Sequence, residues 1–151
     1  MNSEAELGPQ LGARLGYLLK RAFLELEELH GEHLASSGVN ARELAVLLLL
    51  DSHEPESQQH AAGRLGVDRT TMVGLLDGLE GKGLVARQAD AGDRRRNVIV
   101  LTGAGRRTLK KATAASDEAE RQLLGGLSET DAARLRDLLG RVATGRGRPQ
   151  V

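Results

Sequence analysis

The chain has 151 residues, 40% of them hydrophobic and 28% charged, with 21 basic against 21 acidic side chains and no cysteine. That composition belongs to one domain large enough to bury a core, and it excludes a disulfide framework, thiol redox sensing and cysteine-based metal sites. The longest apolar run, Leu44 to Leu50, is too short to cross a bilayer. The N-terminal stretch lacks the pattern of a secretory signal, so a cytoplasmic location is expected.

Charge is unevenly spread. Residues 1–60 hold 4 Lys and Arg against 10 Asp and Glu, whereas residues 61–111 hold 11 against 5. A zero total therefore conceals a basic middle third, which suits an anionic partner.

From Leu11, apolar residues recur at 15, 18, 19, 22, 23, 26 and 29, predicting a long first helix that ends near Gly38. Aromatic residues are only 1%, Tyr17 and Phe23, so Leu, Val, Ile and Ala must build the core, with Phe23 expected inside it. "NARELAVLLLLDS" predicts a second, central helix capped by Asn40. "QQHAAGRLG" predicts a short helix closed by Gly66, and Asp68 then caps another that Gly83 terminates. On that helix Met72, Leu75, Leu76 and Leu79 form one buried face, and Thr70, Gly74, Asp77 and Gly81 the opposite one.

"LVARQ" (84–88) and "NVIVL" (97–101) predict a β-hairpin with "ADAGDRRR" as its tip. Thr102 caps the next helix, which carries Leu109, Ala112, Ala119 and Leu123. "SETD" (128–131) fits a capping box for a last helix bearing Leu135, Leu138, Leu139 and Val142. Two unequal helices across a tight turn, followed by a hairpin, make a winged helix-turn-helix: a mainly α fold with a small β wing. The second helix of the pair can enter a major groove. The cationic tip can reach phosphates or a narrow minor groove.

Asp93, Arg95, Leu101 and Thr102 match the D-x-R-x5-L-T wing signature of MarR-type transcriptional regulators, and "HAAGRLGVDRTTMVGLLDGLEGKGLVAR" resembles their helix-turn-helix. The resemblance implies homodimers on pseudo-palindromic double-stranded operators. Residues 8–36 and 103–144 (helices 103–126 and 129–144) would be dimerisation helices around a 40–101 DNA-binding lobe. Leu18 with Leu19, and Leu138 with Leu139, would then supply one stripe for the core and one for a partner. Wing contacts map to Arg95, with Arg94 and Arg96 on phosphates. Recognition-helix contacts map to Arg69, Thr70, Thr71 and Gly74. Asp93 is expected to hold a wing arginine extended through an ion pair. Gly74 and Gly78, where many relatives are basic, suggest a close approach to DNA or to another helix, with thin base readout.

Small aromatic or phenolic acids commonly release such repressors. Tyr17, Arg21, His30 and His53 are candidate pocket residues for an effector. His30 and His33, with Glu27 one turn earlier, have a spacing that could hold zinc, although histidines so placed are more often simply exposed near a helix end. No catalytic constellation is evident, "GAGRR" (103–107) is too short and misplaced for a phosphate-binding loop, and no cofactor is called for. The competing function is a winged-helix module that binds protein, which would need an exposed apolar patch on the 70/74/77/81 face.

Overall fold

A computed structural model of the chain describes residues 4–55 and 57–145. In chain order it has α1 (Glu4–Gly12), α2 (Leu15–Leu34) with a 3-10 turn (Ala35–Ser37), α3 (Ala41–Ser52), α4 (Gln58–Leu65) and α5 (Arg69–Gly81). The hairpin strands β1 (Val85–Ala89) and β2 (Asn97–Leu101) follow, then α6 (Gly103–Leu123) and α7 (Glu129–Ala143). The tail after Gly145 lies outside the described residues.

The first helix is not continuous over 8–36. It is interrupted between Gly12 and Leu15, and Arg14, in extended backbone, opens α2. The remaining boundaries fall within one to three residues of expectation. Short polar side chains set them, by accepting the amides that a helix start leaves free. Asn40 accepts from Glu43 N while the Glu43 carboxylate accepts from Asn40 N, a full capping box. Ser57, Asp68, Thr102 and Ser128 open α4, α5, α6 and α7 by the first half of that exchange, each side chain accepting the amide three residues on; the box expected at Ser128–Asp131 shows this bond from Asp131 N. Gly66 stops α4 with φ of 64°, a left-handed turn that sends the chain directly into α5.

The core lies where α3, α5, the hairpin and α6 meet. Val46, Leu47, Met72, Leu76 and Leu79 are fully buried, flanked by Val85, Ile99, Leu101 and Leu109. The strands pair antiparallel, Val85 opposite Leu101 and Arg87 opposite Ile99.

Phe23 is not in this core. It stands 59% exposed, and Leu18, Leu19, Leu138 and Leu139 are all exposed as well. Neither leucine pair supplies a core stripe within the chain. None of the described residues of α7 is buried, and its ion pair to α6 runs from Arg136 to Glu120 at 2.6 Å.

Candidate DNA-binding surface

Thr102 explains the end of the wing signature. Its hydroxyl donates to the Gly83 carbonyl at 2.6 Å and accepts from Gly105 N at 2.9 Å, and its own amide donates to the Leu84 carbonyl at 3.1 Å. One residue thus caps α6 and ties it to the base of β1, while Leu101 beside it is buried. Gly105 is required at this join: a Cβ there would meet the Leu84 carbonyl oxygen at 2.0 Å.

At the tip, Asp90 N donates to the Arg96 carbonyl at 2.8 Å. Inside that closure the Asp93 carboxylate accepts from Arg95 N at 3.0 Å, and its carbonyl accepts from Arg96 N. Asp93 therefore organises the tip through backbone bonds, not through the expected ion pair with an arginine. A carboxylate so short closes an i to i+2 turn more readily than it reaches a guanidinium extended into solvent. Arg94, Arg95 and Arg96 are exposed, and none makes an ion pair or side-chain hydrogen bond among the described residues. Three like charges on one turn repel each other, and among the described residues no carboxylate pairs with their guanidinium groups.

On α5, Arg69, Thr70 and Gly74 are exposed on the face away from the core. Thr71 is half-buried. Its hydroxyl donates to Asp68 Oδ2 at 2.7 Å and its amide to Oδ1 at 2.8 Å, so it serves the helix cap first. Both bonds, the hydroxyl foremost, hold the Asp68 carboxyl below the usual carboxylate range. Among the described residues nothing would lie within 4 Å of a Cβ at Gly74, and one at Gly78 would make only ordinary contact with the Glu43 side chain of α3 at 3.7 Å. Of the two partners expected for these glycines, another helix of the same chain stands near Gly78 alone, and without a close backbone approach. The 70/74/77/81 face bears no apolar patch.

Two polar links escaped the sequence reading. Arg87 of β1 reaches back to α5, with Nη2 2.8 Å from Asp77 Oδ1 and Nη1 on Glu80. Those bonds, Asp77 foremost, hold the guanidinium even more firmly protonated than usual. At the C-terminal end of α5, Lys82 Nζ donates to the Gly38 carbonyl at 2.8 Å and to both oxygens of the buried Glu43 at 2.9 Å. An acidic residue one helical turn before a strand was the available signal for the first. The second joins residues 39 apart and left no local trace.

Glu43 and Lys82 also line an open cleft of about 670 Å³ between the C-terminal half of α2 and the start of α3, together with His30, Arg42 and Glu27. Of the candidate pocket residues only His30 reaches it. Tyr17 and Arg21 lie further toward the N-terminus of α2, and His53 bonds the Leu49 carbonyl at the end of α3. His30 and His33 do not converge: His30 Nε2 meets Ser116 Oγ and His33 Nε2 meets Gln122 Oε1, each at 2.9 Å. Among the described residues, no three His, Asp or Glu side chains gather as metal ligands. Among the described residues no helix is long and apolar enough to span a membrane.

A helix-turn-helix with an exposed second helix, flanked by a hairpin that ends in unpaired arginines, defines the winged-helix class of DNA-binding architectures. Residues 39–96 match the model of the MarR family. Over 117 residues the chain is 30% identical to the transcriptional regulator HosA of Escherichia coli, covering 74% of this chain and 86% of HosA. It is 27% identical over 92 residues to the HTH-type transcriptional repressor NicR of Pseudomonas putida, 61% of this chain and 58% of NicR. Among solved structures it resembles the transcriptional repressor CouR bound to a 23-mer DNA duplex, with a TM-score of 0.83, 34% identity and coverage of 89% and 96% of the two chains. CouR from Rhodococcus jostii RHA1 bound to p-coumaroyl-CoA gives a TM-score of 0.79 at 32% identity, covering 95% and 99%. The chain belongs to the MarR family.

Proposed function

We propose that this protein is a homodimeric, cytoplasmic transcriptional repressor that binds a pseudo-palindromic DNA operator and is released by a small anionic effector, an aromatic or phenolic acid or its thioester. The observation that carries the DNA-binding reading is the wing tip, where Arg94, Arg95 and Arg96 stand unpaired beyond the exposed Arg69 and Thr70 of α5. Three exposed cations on one turn suit an anionic partner, and guanidinium forks fit phosphate and a narrow minor groove. Arg69, Thr70, Thr71 and Gly74 would face the major groove and leave much of the specificity to the wing and to DNA shape. CouR bound to a DNA duplex and CouR bound to p-coumaroyl-CoA support both halves of the reading. Homodimerisation is supported by apolar side chains left uncovered on both terminal arms, including Leu15, Phe23 and Val142 at 68%, 59% and 71% exposure. The effector would enter the cleft at Arg42, whose guanidinium suits a carboxylate or phosphate, beside His30 and the Lys82–Glu43 pair.

The test is selection of bound genomic fragments by the purified protein, in parallel with Arg95→Ala. Enrichment of one palindromic site, with affinity falling by about tenfold to a hundredfold in the variant, supports the reading. Binding should also weaken steeply with salt. Equal behaviour of the two proteins would remove the wing from the interface and favour a protein-binding winged helix.

A further inference from the structure

We propose that Arg87 is the positioning residue of the wing: by bridging to Asp77 and Glu80 it sets the pitch of the hairpin against α5, so that Arg95 and α5 engage the same duplex. This rests on the DNA-binding reading above.

The hairpin is held at its base by buried Leu84, Val85 and Leu101, and along β2 by buried Ile99 and Val98, which stand opposite Arg87 and Gln88. Beyond Arg87 on β1, Gln88 and Ala89 are exposed, as is the tip from Ala91 to Arg96. Arg87 is thus the last side-chain tie from β1 to the body of the protein before the tip. A two-stranded ribbon alone is marginally stable and twists readily, so one tether part-way along it controls where the end points. The tether is directional. A planar guanidinium gives one nitrogen to each of two carboxylates a helical turn apart, which a single ammonium cannot reproduce. Stability does not account for it. Asp77 is 60% exposed and Glu80 42%, and ion pairs so exposed contribute little to folding.

The test is a double-mutant cycle on the operator, read by fluorescence anisotropy, with thermal midpoints as the control for folding. Arg87→Lys keeps the charge and loses the fork. In the otherwise unaltered protein it should weaken binding by about tenfold. In an Arg95→Ala background it should weaken binding by less than about threefold, because the contact it positions is already gone. Unchanged affinity in Arg87→Lys overturns the proposal. So do losses that multiply in the Arg95→Ala background, since Arg87 would then act on DNA independently of the wing. If Arg87→Lys does not fold, Asp77→Ala with Glu80→Ala removes the tether from the other side. That variant adds two net positive charges, so plain electrostatics demands tighter binding, whereas loss of the tether demands weaker operator binding. Tighter binding overturns the proposal. If the unaltered protein does not bind DNA, or Arg95→Ala binds as well as it does, the parent reading fails and this inference fails with it.

Discussion

The lobe built from α3 to β2 and the arm formed by α7 answer the same problem differently. In the lobe, leucines and valines meet one another across short loops, and Leu47, Met72, Leu76 and Leu79 lose all contact with solvent. In α7, Leu138, Leu139 and Val142 follow an equally regular helical spacing, yet all three remain exposed. Amphipathic periodicity states that a face will be covered. It does not state by what. The lobe completes its core within one chain, and the arm presents half of a core that a second copy can complete.

Placing charge on the arm should have the largest effect of all, and on association alone. Leu139→Asp with Val142→Asp puts unpaired carboxylates into the proposed interface, which should weaken dimerisation by about 4 kcal/mol, roughly a thousandfold. Sedimentation equilibrium would show a monomer. Helical content should stay near that of the unaltered protein; if the lobe melts as well, the two regions are not independent.

Within the lobe the join at Gly105 should be most sensitive. Gly105→Ala forces a methyl group against the Leu84 carbonyl and must separate α6 from β1. A loss of about 3 kcal/mol in denaturant unfolding is expected, with the denaturant slope retained. Lys82→Met comes next. It leaves the Glu43 carboxylate buried with the Asn40 amide as its remaining partner, and Lys82 is itself 43% exposed, so about 2 kcal/mol is expected. Lys82→Arg should recover most of that loss.

How far the sequence could be read follows the same division. The caps at Asn40, Asp68, Thr102 and Ser128 were legible because each acts over three residues. The hairpin was legible to within one residue, because Val and Ile runs around a polar tip have few alternatives. Phe23 was misplaced because burial of an amphipathic helix depends on which neighbour arrives, and none of the described residues covers it. The role of Asp93 was half legible. Its spacing to Arg95 marks a tight turn, but whether a carboxylate takes the backbone amide or the side chain depends on tip geometry. Gly103 and Gly105 look alike in "TGAG". Only the second faces a carbonyl, and that carbonyl belongs to residue 84. Arg87, Lys82 and Glu43 form the polar frame of the site, and they stayed hidden because their partners are set by packing.

The smallest expected effect separates two helix starts that look equivalent. Asp68 opens α5 and Ser128 opens α7, each accepting the amide three residues on. Only Asp68 titrates. Its folded pKa lies below that of an ordinary aspartate, chiefly through the Thr71 hydroxyl and then the Thr71 amide. The stability it contributes is therefore fully present above the unfolded value and is lost as pH falls through the lowered folded one. Thermal midpoints of the unaltered protein and Asp68→Asn, compared from about pH 7 down to about pH 3, should diverge least at the acid end, because Asn caps without titrating. Other carboxylates titrate in both proteins and cancel in the difference. A difference that does not vary with pH would mean that the Asp68–Thr71 bonds add nothing beyond an ordinary cap. A difference that closes on acidification would tie the N-terminus of the recognition helix, and not that of the dimer arm, to protonation.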